Sequence, residues 1–290
     1  MAAGDTTTSA LADSLPSVIS AARLIREFKG VMSQLATKET LGEGIGNDWT
    51  EISLSKLNAQ VITESTDLDN PQQIVDTPLT ITPTMVGIHT FITDRVARRI
   101  SKNVFTRLGP LAQNAMIRKM DLDGIVQLDG ATTSLPGAGN TLTSNTIRAF
   151  VARASSNTTE PMPPPYRCVL HGFQIYDIED EIVNPVGTYE VTTGLTAEVF
   201  KNRFHGMVGG AQVYDDDNIT IDANADAKGG VFSQYALLLI HGKRPWGATV
   251  RKEFKGGGGT SVVLYDEYAW GERAAGSGVY EVMSDATAPA

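Results

Sequence analysis

From Trp49 the sequence alternates with a period of two, turns at a polar tip, and returns with the same alternation. Ile52 and Leu54 alternate with Ser53 and Ser55, while Leu57, Ala59 and Val61 continue in the opposite phase, so a bulge is expected near Lys56. The tip, Ser65 to Gln73, is polar and turn-rich and carries Asp67 and Asp69. On the return leg Leu79, Ile81 and Pro83 alternate with Thr80, Thr82 and Thr84, and Pro78 and Pro83 keep one edge from full hydrogen bonding. The pattern predicts a two-stranded ribbon over residues 47–91. Such a ribbon is marginal alone in water. A chain that displays one is built to have neighbours, with Trp49, Ile52, Leu54, Asp67 and Asp69 as the expected contact residues.

The segment before the ribbon points the same way. Pro16-Ser17 opens a helical pattern in which Val18, Ala21, Ile25, Phe28, Met32 and Leu35 recur at spacings of three and four. Arg23, Arg26, Lys29 and Lys38 occupy the opposite face. This helix packs on its own domain, or it lies along a neighbouring subunit or a scaffolding protein. In the second reading Val18, Ile25, Phe28, Met32 and Leu35 form an inter-subunit contact. Glycines at 42, 44 and 46 set the arm apart from the ribbon, as expected of a segment able to swing.

After the ribbon, Thr93-Asp94 caps a long helical pattern to about Leu128. Leu108, Leu111, Ala115, Leu122 and Ile125 supply one stripe, widened by Ala112, Met116 and Met120. Gly109-Pro110 is expected to divide it into a short helix to about Arg107 and a long one from Pro110. A small-residue linker (131–140) leads to a short helix after Ser144, a proline run at 161–165, a buried-type strand over Tyr166–Leu170 and a helix over FQIYDIEDEI. A turn around Gly209-Gly210 follows, then a strand over Ser233–Ile240, and strands over Ala248–Phe254 and Ser261–Trp270 paired across the glycines at 256–259. The fold class is α+β.

Chemistry is sparse. His89, His171, His205 and His241 are scattered, and none sits in a zinc-ligand spacing. The single cysteine, Cys168, excludes an intrachain disulfide and reads as a buried structural thiol. GGGGT at 256–260 lacks the lysine of a phosphate-binding loop, and no nucleophile elbow occurs. Asp222, Asn224 and Asp226 copy the first ligands of a calcium loop, but Ala227 and Ser233 stand where glycine and the closing acid are needed. The default is a solvated acidic loop, with a weak inter-subunit divalent site as the alternative. No catalytic, cofactor or metal residue is assigned.

Charge is uneven. Arg95, Arg98, Arg99, Lys102, Arg107, Arg118 and Lys119 crowd the long helix, whereas Asp177, Glu179, Asp180 and Glu181 crowd the later one. Two uses compete: pairing between adjacent subunits, and neutralisation of phosphate in packaged DNA without sequence reading. The net charge of −9 argues against a surface devoted wholly to nucleic acid.

The order of arm (9–38), ribbon (47–91), long helix (93–128, with MDLDGIVQLDGA near its end) and α/β remainder (140–283) resembles the major capsid proteins of tailed phages, the Hong Kong 97 fold. The resemblance covers nearly the whole chain and rests on segment order rather than on any one motif. It implies an N-terminal arm (1–46), an extended hairpin loop (47–91), a peripheral domain with a spine helix (92–130 and 246–272) and an axial domain (131–245 and 273–290). By the same resemblance the chain is not an enzyme; it self-assembles as hexamers and pentamers into a virion shell built in the host cytoplasm. Implied partners are copies of itself, a portal, a separate scaffolding protein, a decoration protein and packaged double-stranded DNA, with no membrane. Some members crosslink a hairpin lysine to a neighbouring asparagine; Lys56 is the hairpin's sole lysine, and no partner asparagine is matched. An encapsulin-type compartment with the same fold is the nearer alternative, and a soluble α/β enzyme the remoter one.

Overall fold

The computed structural model describes residues 30–44, 46–64, 71–99, 104–183 and 206–289. The arm residues Val18, Ile25 and Phe28, the tip residues Asp67 and Asp69, Lys102 and His205 lie outside them, as does the side chain of Arg107.

The described chain opens with a single helical turn, α1 (Met32–Leu35), and passes at once into β1 (Thr37–Thr40). The helical pattern predicted to Lys38 therefore ends early: Ala36 turns to extended backbone and Lys38 lies in β1. Next come β2 (Trp49–Leu54), β3 (Asp76–Ile81), β4 (Thr84–Thr93), α2 (Asp94–Arg99) and α3 (Val104–Asp129). The remainder runs β5 (Ser134–Pro136), α4 (Ser144–Ser155), β6 (Tyr166–Leu170), α5 (Gly172–Val183), β7 (Met207–Val208), β8 (Ala211–Asp215), β9 (Asp226–Ser233), β10 (Leu237–Lys252), β11 (Gly259–Glu272) and β12 (Val279–Asp285).

Three sheets result. β2 and β3 form an antiparallel ribbon with Trp49 opposite Ile81 and Leu54 opposite Asp76. A four-stranded sheet has the order β1-β10-β11-β4, and a six-stranded one the order β5-β12-β9-β6-β8-β7. α3 packs across β9, β11, β12 and β4, so it bridges the two larger sheets.

Several elements differ from the sequence expectations. The ribbon's return leg ends at Ile81; Thr84–Thr93, which continues its alternation, pairs instead with β11. No bulge forms at Lys56, because β2 ends at Leu54 and the phase slip marks the end of pairing. The helix is not divided at Pro110, which lies inside α3. Proline there removes one hydrogen bond near the helix's beginning, and the packed turns that follow keep the axis continuous. The buried face of α3 is carried by Met116, Gly124, Ile125 and Leu128, whereas Leu111 is exposed. Gly124 sets that face: a methyl group there would sit 2.9 Å from Cζ2 of Trp270. The supposed linker contains β5, hydrogen-bonded along β12. The strand expected over Ser233–Ile240 is interrupted at Gln234–Ala236, and the acidic loop runs directly into β9.

Other expectations hold. Thr93 Oγ1 accepts a hydrogen bond from Val96 N–H (3.3 Å), Gly209 and Gly210 with positive φ turn β7 into β8, and β10 and β11 pair across the glycine-rich turn. The core is continuous from α1 through Leu128, Ile147, Phe150, Val169, Leu170, Val231 and Phe232 to Val282.

Candidate assembly interface

A ribbon that leaves the body must be rooted in it. Ile81 packs with Leu238 and Ile240, and Trp49, Leu79 and Ala269 cover this small cluster. Gly271 lets Ile81 approach, since a methyl group there would stand 2.3 Å from its Cδ1. Arg273 Nε donates to Glu51 Oε2 (2.9 Å), and its Nη1 donates to the Tyr235 carbonyl (2.9 Å). Farther out, Lys56 Nζ donates to the Thr158 carbonyl (3.1 Å). Trp49 is thus half-buried in its own subunit as part of the root. The rest is bare: Ile52 is 59% exposed and Leu54 68%, and Leu57, Val61, Ile62, Ile74 and Val75 are exposed beyond them. Single exposed apolar residues are ordinary, but seven along the ribbon and its outer extension are an unusual concentration of exposed apolar side chains.

The arm expectation needs correction at its described end. Met32 and Leu35 are buried among Ile125 and Leu128 of the same chain, so they have no surface to give a neighbour.

On the basic side, Arg95, Arg98, Arg99, Arg118 and Lys119 are exposed along α2 and α3. Lys119 Nζ pairs with Asp123 one turn later at 2.5 Å. Asp94 is held by a different strand: Arg251 Nη1 and Nη2 grip its carboxylate at 3.2 and 2.8 Å, and its N–H donates to the Gly258 carbonyl. The Arg251 guanidinium holds the Asp94 carboxyl below the usual range, with Arg98 adding to the effect. Asp94 therefore staples α2 to the β10–β11 turn, and beside that turn Phe254 stands fully exposed.

The acidic helix is partly used within the subunit. Glu181 accepts from Ser144 N–H (2.7 Å) and Oγ (3.0 Å) and so caps α4, while Asp177 accepts from Leu142 N–H (3.2 Å) and fastens the turn that leads into it. Burial pushes the Asp177 carboxyl upward. Pairing of this helix with a basic neighbour loses those two carboxylates. No local signal in the sequence marks them for these roles, because their partners lie more than thirty residues upstream.

The calcium-like loop is a turn. Asp222 Oδ1 accepts the N–H groups of Asn224 and Asp226, and Asp226 Oδ1 accepts that of Gly139. Among the described residues no group of three or more His, Cys, Asp or Glu side chains could hold a metal ion. Cys168 is fully buried, and burial drives its thiol pKa far up, away from nucleophilic use. His89 meets Ser261 Oγ (2.6 Å), His171 stands edge-on to Phe173, and His241 is remote from both in sequence. No described helix is long and apolar enough to cross a membrane.

No protein-family model matches the chain, and no curated protein is similar to it in sequence. Solved structures are similar along nearly its whole length. The head structure of Helicobacter pylori bacteriophage KHP40 aligns with a TM-score of 0.72 at 11% identity, over 91% of this chain and 93% of that one. The capsid of cyanophage Pam1 aligns with a TM-score of 0.70 at 11% identity, over 91% and 94%. The capsid of cyanophage P-SCSP1u gives 0.66 at 12% identity, over 92% of both chains. The fold is that of tailed-phage capsid proteins, a mixed α and β architecture.

Proposed function

We propose that this chain is the major capsid subunit of a tailed double-stranded DNA phage, assembling with copies of itself into the icosahedral head shell. The observation that carries this reading is the exposed apolar ribbon on a fold aligned over more than nine-tenths of phage capsid chains. The role is structural rather than enzymatic, and its site is the virion. In Hong Kong 97 terms, β2–β3 is the extended hairpin loop, α3 with the outer part of the four-stranded sheet is the peripheral domain, and the six-stranded sheet with α4 and α5 is the axial domain. The ribbon overlaps a neighbouring subunit through Ile52 and Leu54, aided by Asp67 and Asp69 at its tip. The arm residues Val18, Ile25 and Phe28 make a second overlap. Arg95, Arg98, Arg99, Lys102, Arg107, Arg118 and Lys119 face partner carboxylates or packaged DNA. Hexamers and pentamers close the shell by repeating a few heterologous contacts. A portal, a separate scaffolding protein and a decoration protein complete the partner set.

The kinship with phage heads favours this over an encapsulin compartment. Electron microscopy of the purified protein, with nucleic acid assayed on the same particles, is the test. Icosahedral particles of megadalton size are expected, with genomic DNA in those taken from infected cells. Discrete small oligomers, even with scaffolding protein supplied, would refute the proposal.

A further inference from the structure

Two buried carboxyl groups meet where residues 30–32 enter the core. Asp121 of α3 and Asp216 of the loop after β8 are each 1% exposed. Asp121 Oδ1 accepts the N–H of Met32 at 3.0 Å, and Asp216 Oδ2 accepts that of Val31 at 3.3 Å. Asn218 spans the pair, with Nδ2 donating to Asp121 Oδ2 (2.9 Å) and its N–H donating to Asp216 Oδ1 (3.0 Å). Gly30 lies so close that a methyl group there would stand 2.1 Å from Asp121 Cγ, so only glycine fits. The chain is thus held by two adjacent backbone N–H groups on two side chains that are distant in sequence.

Two ionised carboxylates cannot share a buried site cheaply; one proton between them removes the repulsion. We infer that Asp121 and Asp216 form a proton-dependent latch that fastens the entering amino-terminal segment to α3, tight with one shared proton and loosened when it leaves.

The surroundings agree. The entering segment contributes backbone N–H groups, α3 contributes Asp121 with Arg118 and Asp123 nearby in sequence, and the loop adds Asp215 and Asp217. Asp217 is engaged elsewhere, accepting from Gly172 N–H and standing 3.8 Å from His171 Nε2. Burial first, and the Asp121 charge second, push the Asp216 carboxyl up to about 7, against the hydrogen bonds from Asn218 and Val31. The sign follows from linkage. A carboxyl raised in the closed state favours closure fully below its ordinary value near 4, and that help is lost as pH rises toward 7. Near neutrality the latch is poised.

The test is amide hydrogen exchange on the full chain between pH 4.5 and 8, read as protection relative to the unstructured rate at each pH. Peptides spanning 30–36 are compared with an internal control over 168–170. Protection of 30–36 is expected to fall by up to about tenfold per pH unit and to level off above pH 7, while the control stays constant. Asp216→Asn, which cannot ionise, should flatten the profile. A pH-independent wild-type profile overturns the latch, whether or not the variant folds. So does a loss shared equally by 168–170, or an unchanged slope in folded Asp216→Asn protein.

Discussion

Replacing Ile52 and Leu54 together by serine is expected to leave a folded subunit that no longer forms shells at concentrations where the wild type does. Both side chains are more than half exposed in the single chain, so their loss barely touches the core; surface changes of this kind stay within about 0.5 kcal/mol. The effect appears on association. Fully burying a Leu or Ile side chain is worth about 1.5–3 kcal/mol, and these begin partly covered, so together they contribute about 2–4 kcal/mol per ribbon contact. Each 1.4 kcal/mol is tenfold in an equilibrium constant, so the contact weakens by roughly 30- to 700-fold. A shell repeats that loss at every subunit. Sedimentation velocity separates shells from free subunits or capsomers, and thermal melting of the free protein checks the fold. Normal shells at wild-type concentration would show that the ribbon is not an assembly surface.

The ribbon was legible because its period of two is local, and so was the succession of ribbon, long helix and mixed α and β remainder. What escaped the sequence was set by distant partners. Thr84–Thr93 has the ribbon's own alternation, and only its pairing with β11 separates it from the return leg. Pro110 reads as a breaker, yet α3 passes through it, because the packing of Met116, Ile125 and Leu128 outweighs one lost hydrogen bond. β9 was invisible for the opposite reason: Asp226–Ser233 opens on an acid and carries Gly229-Gly230, a poor strand composition. Met32 and Leu35 fit a helical stripe, but a stripe does not say whose surface covers it. The latch carboxylates lie on different elements far apart in sequence, and nothing local to either one points to the other.

Those two strand glycines carry the second large prediction. Gly229→Ala is expected to destabilise the subunit by about 3 kcal/mol, near the upper end of what overpacking costs. The reason is space rather than backbone angle. A methyl group on Gly229 would stand 2.3 Å from the Val169 carbonyl oxygen and 3.1 Å from Leu170 Cδ2. Val169 belongs to β6, paired to β9 on one side while β12 holds β9 on the other. Neither strand can retreat without breaking its ladder. Beyond them α3 lies directly over the sheet: a methyl group on Gly230 would come 3.0 Å from Leu128. The unfolded-state gain from replacing glycine, about 0.4–1 kcal/mol, is too small to compensate. Gly109→Ala is the matched control. That glycine is exposed in α3, and outside its own helix a methyl group there would meet no neighbour within 4 Å. Helix propensity would gain up to about 1 kcal/mol there, but a β-carbon directly before Pro110 crowds the proline ring, so the net change is expected to stay within about 1 kcal/mol. Thermal melting of the two soluble variants reads both: a fall of roughly 6–12 °C is expected for Gly229→Ala, and a shift of at most about 4 °C for Gly109→Ala. A Gly229→Ala melt within a degree of wild type would mean that β9 has room beside β6 that the packing denies.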